Sequence, residues 1–174
     1  MQDTEEKKMS IEEHTKIVED LVKEFGDDNI YNTIVPRAFR AFAHVKMDKF
    51  RDVVRYLKEE HGFEHVTTIT GVDMGENYEV VYHLRNEGFS FSLKVPVTKD
   101  DPKIPSIVDI LNGAVLYERE VNDLLGVFPE GHPDPKRLIL AYDWPEGVHP
   151  LRKEWDIQTI RERVDGKKWG KDVE

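Results

Sequence analysis

The sequence predicts a mixed α/β (α+β) fold: a small mixed sheet with a β-hairpin or meander, helices packed on it, and an extended irregular C-terminal tail. Three observations carry this. Residues 77–85 (NYEVVYHLR) and 88–97 (GFSFSLKVPV) alternate apolar and polar side chains and meet at a short NEG link, the pattern of a hairpin with one buried face. Two earlier stretches repeat apolar residues at helical spacing. After Gly126 both periodicities stop, although aromatic and apolar residues continue.

Taken in order, Ser10 and Glu13 form a capping-box pattern, and Ile11, Ile17, Leu21, Val22 and Phe25 repeat behind it. A helix over about residues 10–25 is expected, with Gly26 as its stop. Its polar side is acidic and reads as a solvated face: residues 1–28 hold ten Asp or Glu against four Lys. Residues 33–45 read as one strand, in which Pro36 marks an edge or a bulge. Asp48 is placed to cap the next helix, whose stripe is Phe50, Val53, Val54 and Leu57, with Gly62 beyond its end. Residues 64–73, rich in β-branched side chains, read as a strand before the hairpin. Ser106 opens a short helix ending at Gly113, and residues 114–126 form a further helix ending at Gly126.

The domain division follows. Residues 1–126 are expected to form the α/β domain and residues 127–174 an extended segment. That segment carries five prolines, and Trp144 and Trp155, without an element of ten residues. It cannot build a core, yet it is too apolar for a solvated linker. The expectation is that it lies on another surface.

Composition narrows the function. The chain has 174 residues, 39% of them hydrophobic, enough for one core. Its charged fraction of 34% exceeds the usual level of about 25%, as in thermophile proteins. A net charge of −10 speaks against nucleic acid and anionic lipid as main partners. With no cysteine there is no disulfide, no thiolate zinc site and no cysteine-ligated iron–sulfur cluster. The first residues are acidic and lack the apolar core of a signal peptide, and no run of about 18 apolar residues predicts a membrane span.

The densest chemistry lies in residues 117–155, YEREVNDLLGVFPEGHPDPKRLILAYDWPEGVHPLRKEW. On a helix, Arg119 and Asp123 stand four apart and can pair, while Glu120 and Asp123 share a side. Two nearby carboxylates could work as an acid/base pair, but Arg119 would hold them ionised, which suits structural pairing. A metal reading would recruit His132, Asp134, Asp143 and His149. Against it stands a rigid proline-braced loop whose His and Asp side chains bond local main chain. No phosphate-binding, dinucleotide-binding or nucleophile-elbow motif occurs.

The same stretch resembles the 30-kilodalton subunit family of respiratory complex I, the NADH:quinone oxidoreductase. That family includes the corresponding subunits of energy-converting membrane-bound [NiFe] hydrogenases. The residues carrying the resemblance are Glu118, Arg119, Glu120, Asp123, Gly126, Gly131, His132, Pro133, Asp134, Arg137, Asp143, Trp144, His149, Pro150, Leu151, Arg152 and Lys153, with Trp155 beside them. The resemblance implies a non-catalytic, peripheral subunit on the cytoplasmic face of a cell membrane, with no cofactor of its own. It implies docking on a large subunit, related to [NiFe] hydrogenases or to the 49-kilodalton subunit of complex I, within an assembly whose other subunits carry iron–sulfur clusters.

The chain departs from the family pattern at Asn122, where an aromatic residue is usual, at Leu125, where Phe is usual, and at residues 134–137, DPKR in place of DLRR. With the thermophile-like composition, these favour an archaeal-type, ferredoxin-dependent, proton-reducing hydrogenase. An NADH- or ferredoxin-dependent quinone reductase and a sulfur-reducing complex are the alternatives, and a stand-alone metal-dependent enzyme is the reading from another class. In the docked reading, Arg119, Arg137 and Arg152 fork onto partner carboxylates or main-chain carbonyls, and Trp144 and Trp155 are the anchors.

Overall fold

Five strands form one sheet, in the order β1-β2-β5-β4-β3, in the computed structural model, which describes residues 15–165. Helix α1 covers residues 15–25. It is followed by β1 (Ile30–Arg37), β2 (Arg40–Val45), α2 (Phe50–His61), β3 (His65–Asp73), β4 (Asn77–Arg85), β5 (Ser90–Thr98) and β6 (Lys103–Pro105). Then come α3 (Val115–Leu125), β7 (Phe128–Glu130) and α4 (Ile157–Asp165). The capping box at Ser10 and Glu13 lies outside the described residues.

Alternation decides the main sheet. Tyr78, Val80, Tyr82 and Leu84 of β4 stand opposite Val97, Val95, Leu93 and Phe91 of β5, and all eight are buried. The face they share continues through Ala41 and Ala43 of β2, paired with Phe91 and Leu93, and through Ile69 of β3, paired with Tyr82. The α2 stripe of Phe50, Val53, Val54 and Leu57 covers that face and is fully buried. The Phe50 ring lies 4.6 Å from the Tyr82 ring. Burial of each such side chain contributes about 1.5–3 kcal/mol. Gly62 ends α2 at φ 67°, and α1 packs beside α2 with Phe25 edge-on to Tyr56. The other face of the sheet is more open. There Glu79 lies between His44 Nε2 and Lys94 Nζ, each at 3.0 Å.

Several expected elements differ. Residues 33–45 are not one strand but the hairpin β1–β2, turning at Ala38 and Phe39 with Phe39 at φ 67°. Pro36 does lie on an edge strand, and the pairing of β1 carries two register shifts. Asp48 caps nothing: it sits in a 3-10 turn, Met47–Lys49, ahead of α2, and the helix has no side-chain cap. Residues 106–113 form turns with a 3-10 segment at Asn112–Ala114 instead of a helix. The reason is that the Ser106 hydroxyl and the Ile107 amide are drawn to Glu118.

From Val127 to Lys153 the chain stays on the domain. Strand β7 pairs in parallel with β6, and Val127, His132 and Val148 are buried. The stretch 131–156 is irregular, as expected, before the nine-residue helix α4.

Candidate functional site

The site is built around the end of α3. A helix leaves its last four carbonyls without partners inside the helix. For α3 these belong to Asn122, Asp123, Leu124 and Leu125, and each is met. The Gly126 amide donates to Asn122 O at 2.9 Å. His149 Nδ1 donates to Asp123 O at 2.8 Å. The Leu151 amide donates to Leu124 O at 2.9 Å, and Arg152 Nε to Leu125 O at 2.8 Å. The HPLR run is thus a cap delivered from a distant part of the chain. The Arg152 charge also sits favourably at the negative end of the helix dipole.

Gly126 makes room for this. Its φ is 78°, and a β-carbon there would lie 2.6 Å from His149 Nε2 and would also strike the Arg152 guanidinium. No L-residue fits without moving both groups.

Asp123 holds the other side of the loop. Its carboxylate Oδ2 accepts the amides of Leu138 and Ile139, each at 2.7 Å, and of Leu140 at 3.2 Å. It is bound by main chain, not by Arg119 as the helix spacing had suggested. Arg119 instead donates through Nε to Lys136 O at 2.8 Å and through Nη2 to Arg137 O at 3.0 Å. Arg137 Nη1 donates to Ala141 O at 3.1 Å and Trp144 O at 2.9 Å, and the Trp144 indole donates to Val148 O at 2.8 Å.

Glu118 is buried on the inner side of α3. It accepts the Ser106 hydroxyl at 2.6 Å and the Ile107 amide at 2.9 Å. Burial raises its carboxyl above the ordinary value despite these bonds. The fully buried Tyr82 phenol faces it and is raised well above its ordinary value, first by burial and then by the carboxylate.

His132 Nε2 donates to Val115 O at 2.9 Å, and His132 Nδ1 accepts the Asp134 amide at 3.0 Å. Both ring nitrogens are therefore engaged. Gly131 sits at φ 82° in the turn before it, Pro133 is exposed, and Asp134 pairs with Lys136 at 3.3 Å. Asp143 is exposed. The four side chains of the metal reading do not converge: among the described residues no three His, Asp or Glu side chains are grouped to hold a metal ion. Burial lowers the His149 imidazole, and the nearby Arg152 and Arg137 charges act in the same direction.

The segment's last anchor is on the sheet. The Lys153 amide donates to Asp73 Oδ2 at 3.0 Å, while Lys99 Nζ lies 2.7 Å from Asp73 Oδ1. Burial would raise this carboxyl, but the bonds from Lys99 and the Lys153 and Gly75 amides outweigh it and hold it at about 2. Arg152 stacks over the Tyr78 ring at 5.3 Å. Pro150 and Trp155 are half-buried, and Arg163 lies over the Trp155 ring.

Arg119, Asp123, His132, Arg137, His149 and Arg152 therefore bind main chain of their own domain, while three apolar side chains of the segment face out. Ile139 is 53% exposed, Leu151 52% and Tyr142 fully exposed. The sequence reading missed Ile139 and Tyr142; the signal was the apolar run LILAY within a loop too polar to form a core. Glu120 alone among the motif carboxylates has no hydrogen bond or ion pair among the described residues, and it lies half-buried beside β3.

Comparison with known proteins places the same residues in a family. The family model described as "Respiratory-chain NADH dehydrogenase, 30 Kd subunit" matches residues 43–161. An F(420)H(2) dehydrogenase subunit of Methanosarcina mazei is 34% identical over 144 residues, covering 80% of this chain and 90% of that one. An NADH-quinone oxidoreductase subunit of Chloroherpeton thalassium is 31% identical, covering 86% of this chain and 63% of that protein. Hydrogenase-4 component G of Escherichia coli is 38% identical over 116 residues, covering 63% of this chain but 21% of that much longer protein. Among solved structures, a chain of the membrane-bound sulfane sulfur reductase, an archaeal respiratory membrane complex, superposes with a TM-score of 0.71 at 27% identity, covering 93% of this chain and 96% of that one.

Proposed function

The chain belongs to the respiratory-chain NADH dehydrogenase 30 Kd subunit family, and from that premise we propose that it is a non-catalytic assembly subunit of a membrane complex related to complex I. Membership supports the coarser statement directly: relatives in the family are subunits of multi-subunit oxidoreductase complexes. The observation that carries the non-catalytic reading is the inward orientation of the motif. Asp123, Arg119, Arg137, His132, His149 and Arg152 all bond main-chain groups, so among the described residues none of these six is held as a nucleophile–base pair. A pinned loop with outward apolar side chains is the form a docking surface takes, because ordering costs are met before the partner arrives.

The proposed partner is the large subunit, [NiFe]-hydrogenase-like or 49-kilodalton-like, within an arm that also holds iron–sulfur subunits and lies on the cytoplasmic face of the membrane. Residues 127–174 supply most of the contact, with Ile139, Tyr142 and Leu151 at its centre. Cofactors belong to the partners, and this chain holds none. Among the described residues no helix is long and apolar enough to cross a membrane, which fits a peripheral position.

For the whole complex we propose a ferredoxin-dependent, proton-reducing [NiFe] hydrogenase, supported by the likeness to hydrogenase-4 component G. A second reading, a sulfur-reducing or F(420)H(2)-oxidising complex, is supported by the coverage of the archaeal structure and of the Methanosarcina relative. Purification of the complex through a tag on this chain tests both levels. The assembly reading expects a large subunit and cluster-bearing subunits at fixed stoichiometry, and no chromophore in the isolated chain. Proton reduction from reduced ferredoxin supports the first complex; turnover of sulfane sulfur or F(420)H(2) supports the second. A metal- or chromophore-bearing chain that purifies alone contradicts the assembly reading.

A further inference from the structure

We propose that the outer edge of β3 receives an extended segment of another polypeptide as a sixth strand, with a Lys or Arg of that segment paired to Glu120.

The two edges of the sheet, β1 and β3, differ. An exposed edge strand presents unpaired main-chain groups and is a template for further pairing unless something blunts it. Strand β1 is blunted three ways: Pro36 lacks an N–H, the pairing to β2 shifts register twice, and Asn32 sits at φ 48°. Strand β3 is not. From Thr68 to Asp73 it pairs with β4 in unbroken register, and residues 67–72 (TTITGV) contain neither a proline nor a charge. Among the described residues no main-chain hydrogen bond reaches β3 from the side away from β4.

The ground beside that edge is shaped for side chains. A groove of about 110 Å³ lies between β3 and α3, lined by Thr68, Gly71, Leu124, Leu151 and Glu120. Gly71 lets α3 lie close, since a β-carbon there would come 2.7 Å from Leu125 Cδ2. An added strand alternates its side chains, so one set enters this groove beneath α3 while the other extends the open face beside Val72, which is 39% exposed. The groove's only charge without a partner among the described residues is Glu120, and it is a carboxylate. The occupant is therefore an alternating, apolar segment with a cation opposite Glu120. A second copy of this chain is the poorer occupant, because it would bring another Glu120 and a further net charge of −10 to the same seam.

The proposal rests on the assembly reading only in requiring another polypeptide, and one experiment separates the two. Amide hydrogen exchange is followed at residue resolution in the isolated full-length chain and in the complex purified through it. In the isolated chain, the β3 amides that do not pair with β4 are expected to exchange within seconds. In the complex those same alternate amides are expected to slow at least 100-fold. In a complex carrying Glu120→Arg, whose free chain melts like the wild type, that protection is expected to fall at least tenfold. Unchanged exchange at the edge in an intact complex overturns the proposal and leaves the assembly reading standing. Uniform slowing of neighbouring surface amides marks simple coverage and overturns strand addition. Protection that grows with concentration in the isolated chain assigns the edge to a second copy, and overturns the occupant proposed here. Full protection retained by Glu120→Arg overturns the charge pairing. A chain that enters no complex overturns both readings.

Discussion

His149 donates its Nδ1 hydrogen to the carbonyl of Asp123 across 2.8 Å, although 26 positions separate them in the chain. This bond explains why the motif runs from one end of the segment to the other. Its first half builds a helix whose last carbonyls need donors, and its second half supplies them.

Gly126 should be the least replaceable residue of the motif. At φ 78° any L-residue carries a left-handed strain of about 1–2 kcal/mol, and a β-carbon also collides with His149 and Arg152. Gly26 provides the control, since it has φ 84° but nothing within 4 Å. In urea unfolding, Gly126→Ala should lose clearly more stability than Gly26→Ala. Equal losses would mean that the interlock with His149 and Arg152 contributes nothing.

Asp123→Ala removes the acceptor of three consecutive amides. Hydrogen bonds to a charged group are worth about 1.5–3 kcal/mol, and a loss in that range is expected here. Exchange at Leu138, Ile139 and Leu140 should become fast while α2 stays protected. Global loosening without selective exposure of these amides would show that Asp123 acts elsewhere.

Asp73 and His149 contribute to the acid dependence of stability in two separate windows. The Asp73 carboxyl is depressed to about 2, so its contribution is present above its unfolded value, about 3.9, and is lost as pH falls through about 2. His149 is lowered by burial, so its neutral form is favoured by folding; its contribution is present above the unfolded value, about 6.5, and fades as pH falls below it. Asp73→Asn should flatten part of the loss below about pH 4, and His149→Gln part of the loss that begins near pH 6.5, the remainder belonging to His61 and His83, which burial also lowers. Melting curves from pH 2 to 8 distinguish the two; a change confined to the other variant's window would contradict the assignment.

Much of the fold was legible because local pattern and tertiary burial agree. Alternation at Tyr78, Val80, Tyr82 and Leu84, and the helical stripe from Phe50 to Leu57, describe faces that are in fact buried. The reading failed where the decisive partner was distant or the turn unmarked. The β1–β2 turn uses Phe39 at φ 67°, with no Gly or Asn to announce it. Residues 106–111 have helical composition, but the Ser106 hydroxyl is bonded to Glu118. The site residues were visible as a family motif; their inward direction was not, because their partners are main-chain carbonyls and amides that no side-chain pattern reveals.

Arg152 illustrates that reversal. Its guanidinium caps Leu125 and covers Tyr78, so its removal should lower the stability of the free chain. Arg152→Lys should restore little, since an ammonium on a flexible stem reproduces neither the fixed Nε donor nor the planar stacking. Full rescue by Lys in thermal melting would reduce the residue to a simple charge.

The most direct measurement uses the double variant Ile139→Ala, Tyr142→Ala in the full chain, with thermal melting and recovery of the proposed large-subunit partner by affinity purification read side by side. Tyr142 is fully exposed and Ile139 is 53% exposed, so the melting temperature should stay within a degree or two of the wild type, as surface substitutions usually leave it. Recovery of the large subunit should drop at least tenfold, and Asp123→Ala should show instability as well as lost assembly. Undiminished recovery by the double variant would contradict the account, because the outward apolar face of the capped segment would then not be the surface that docks.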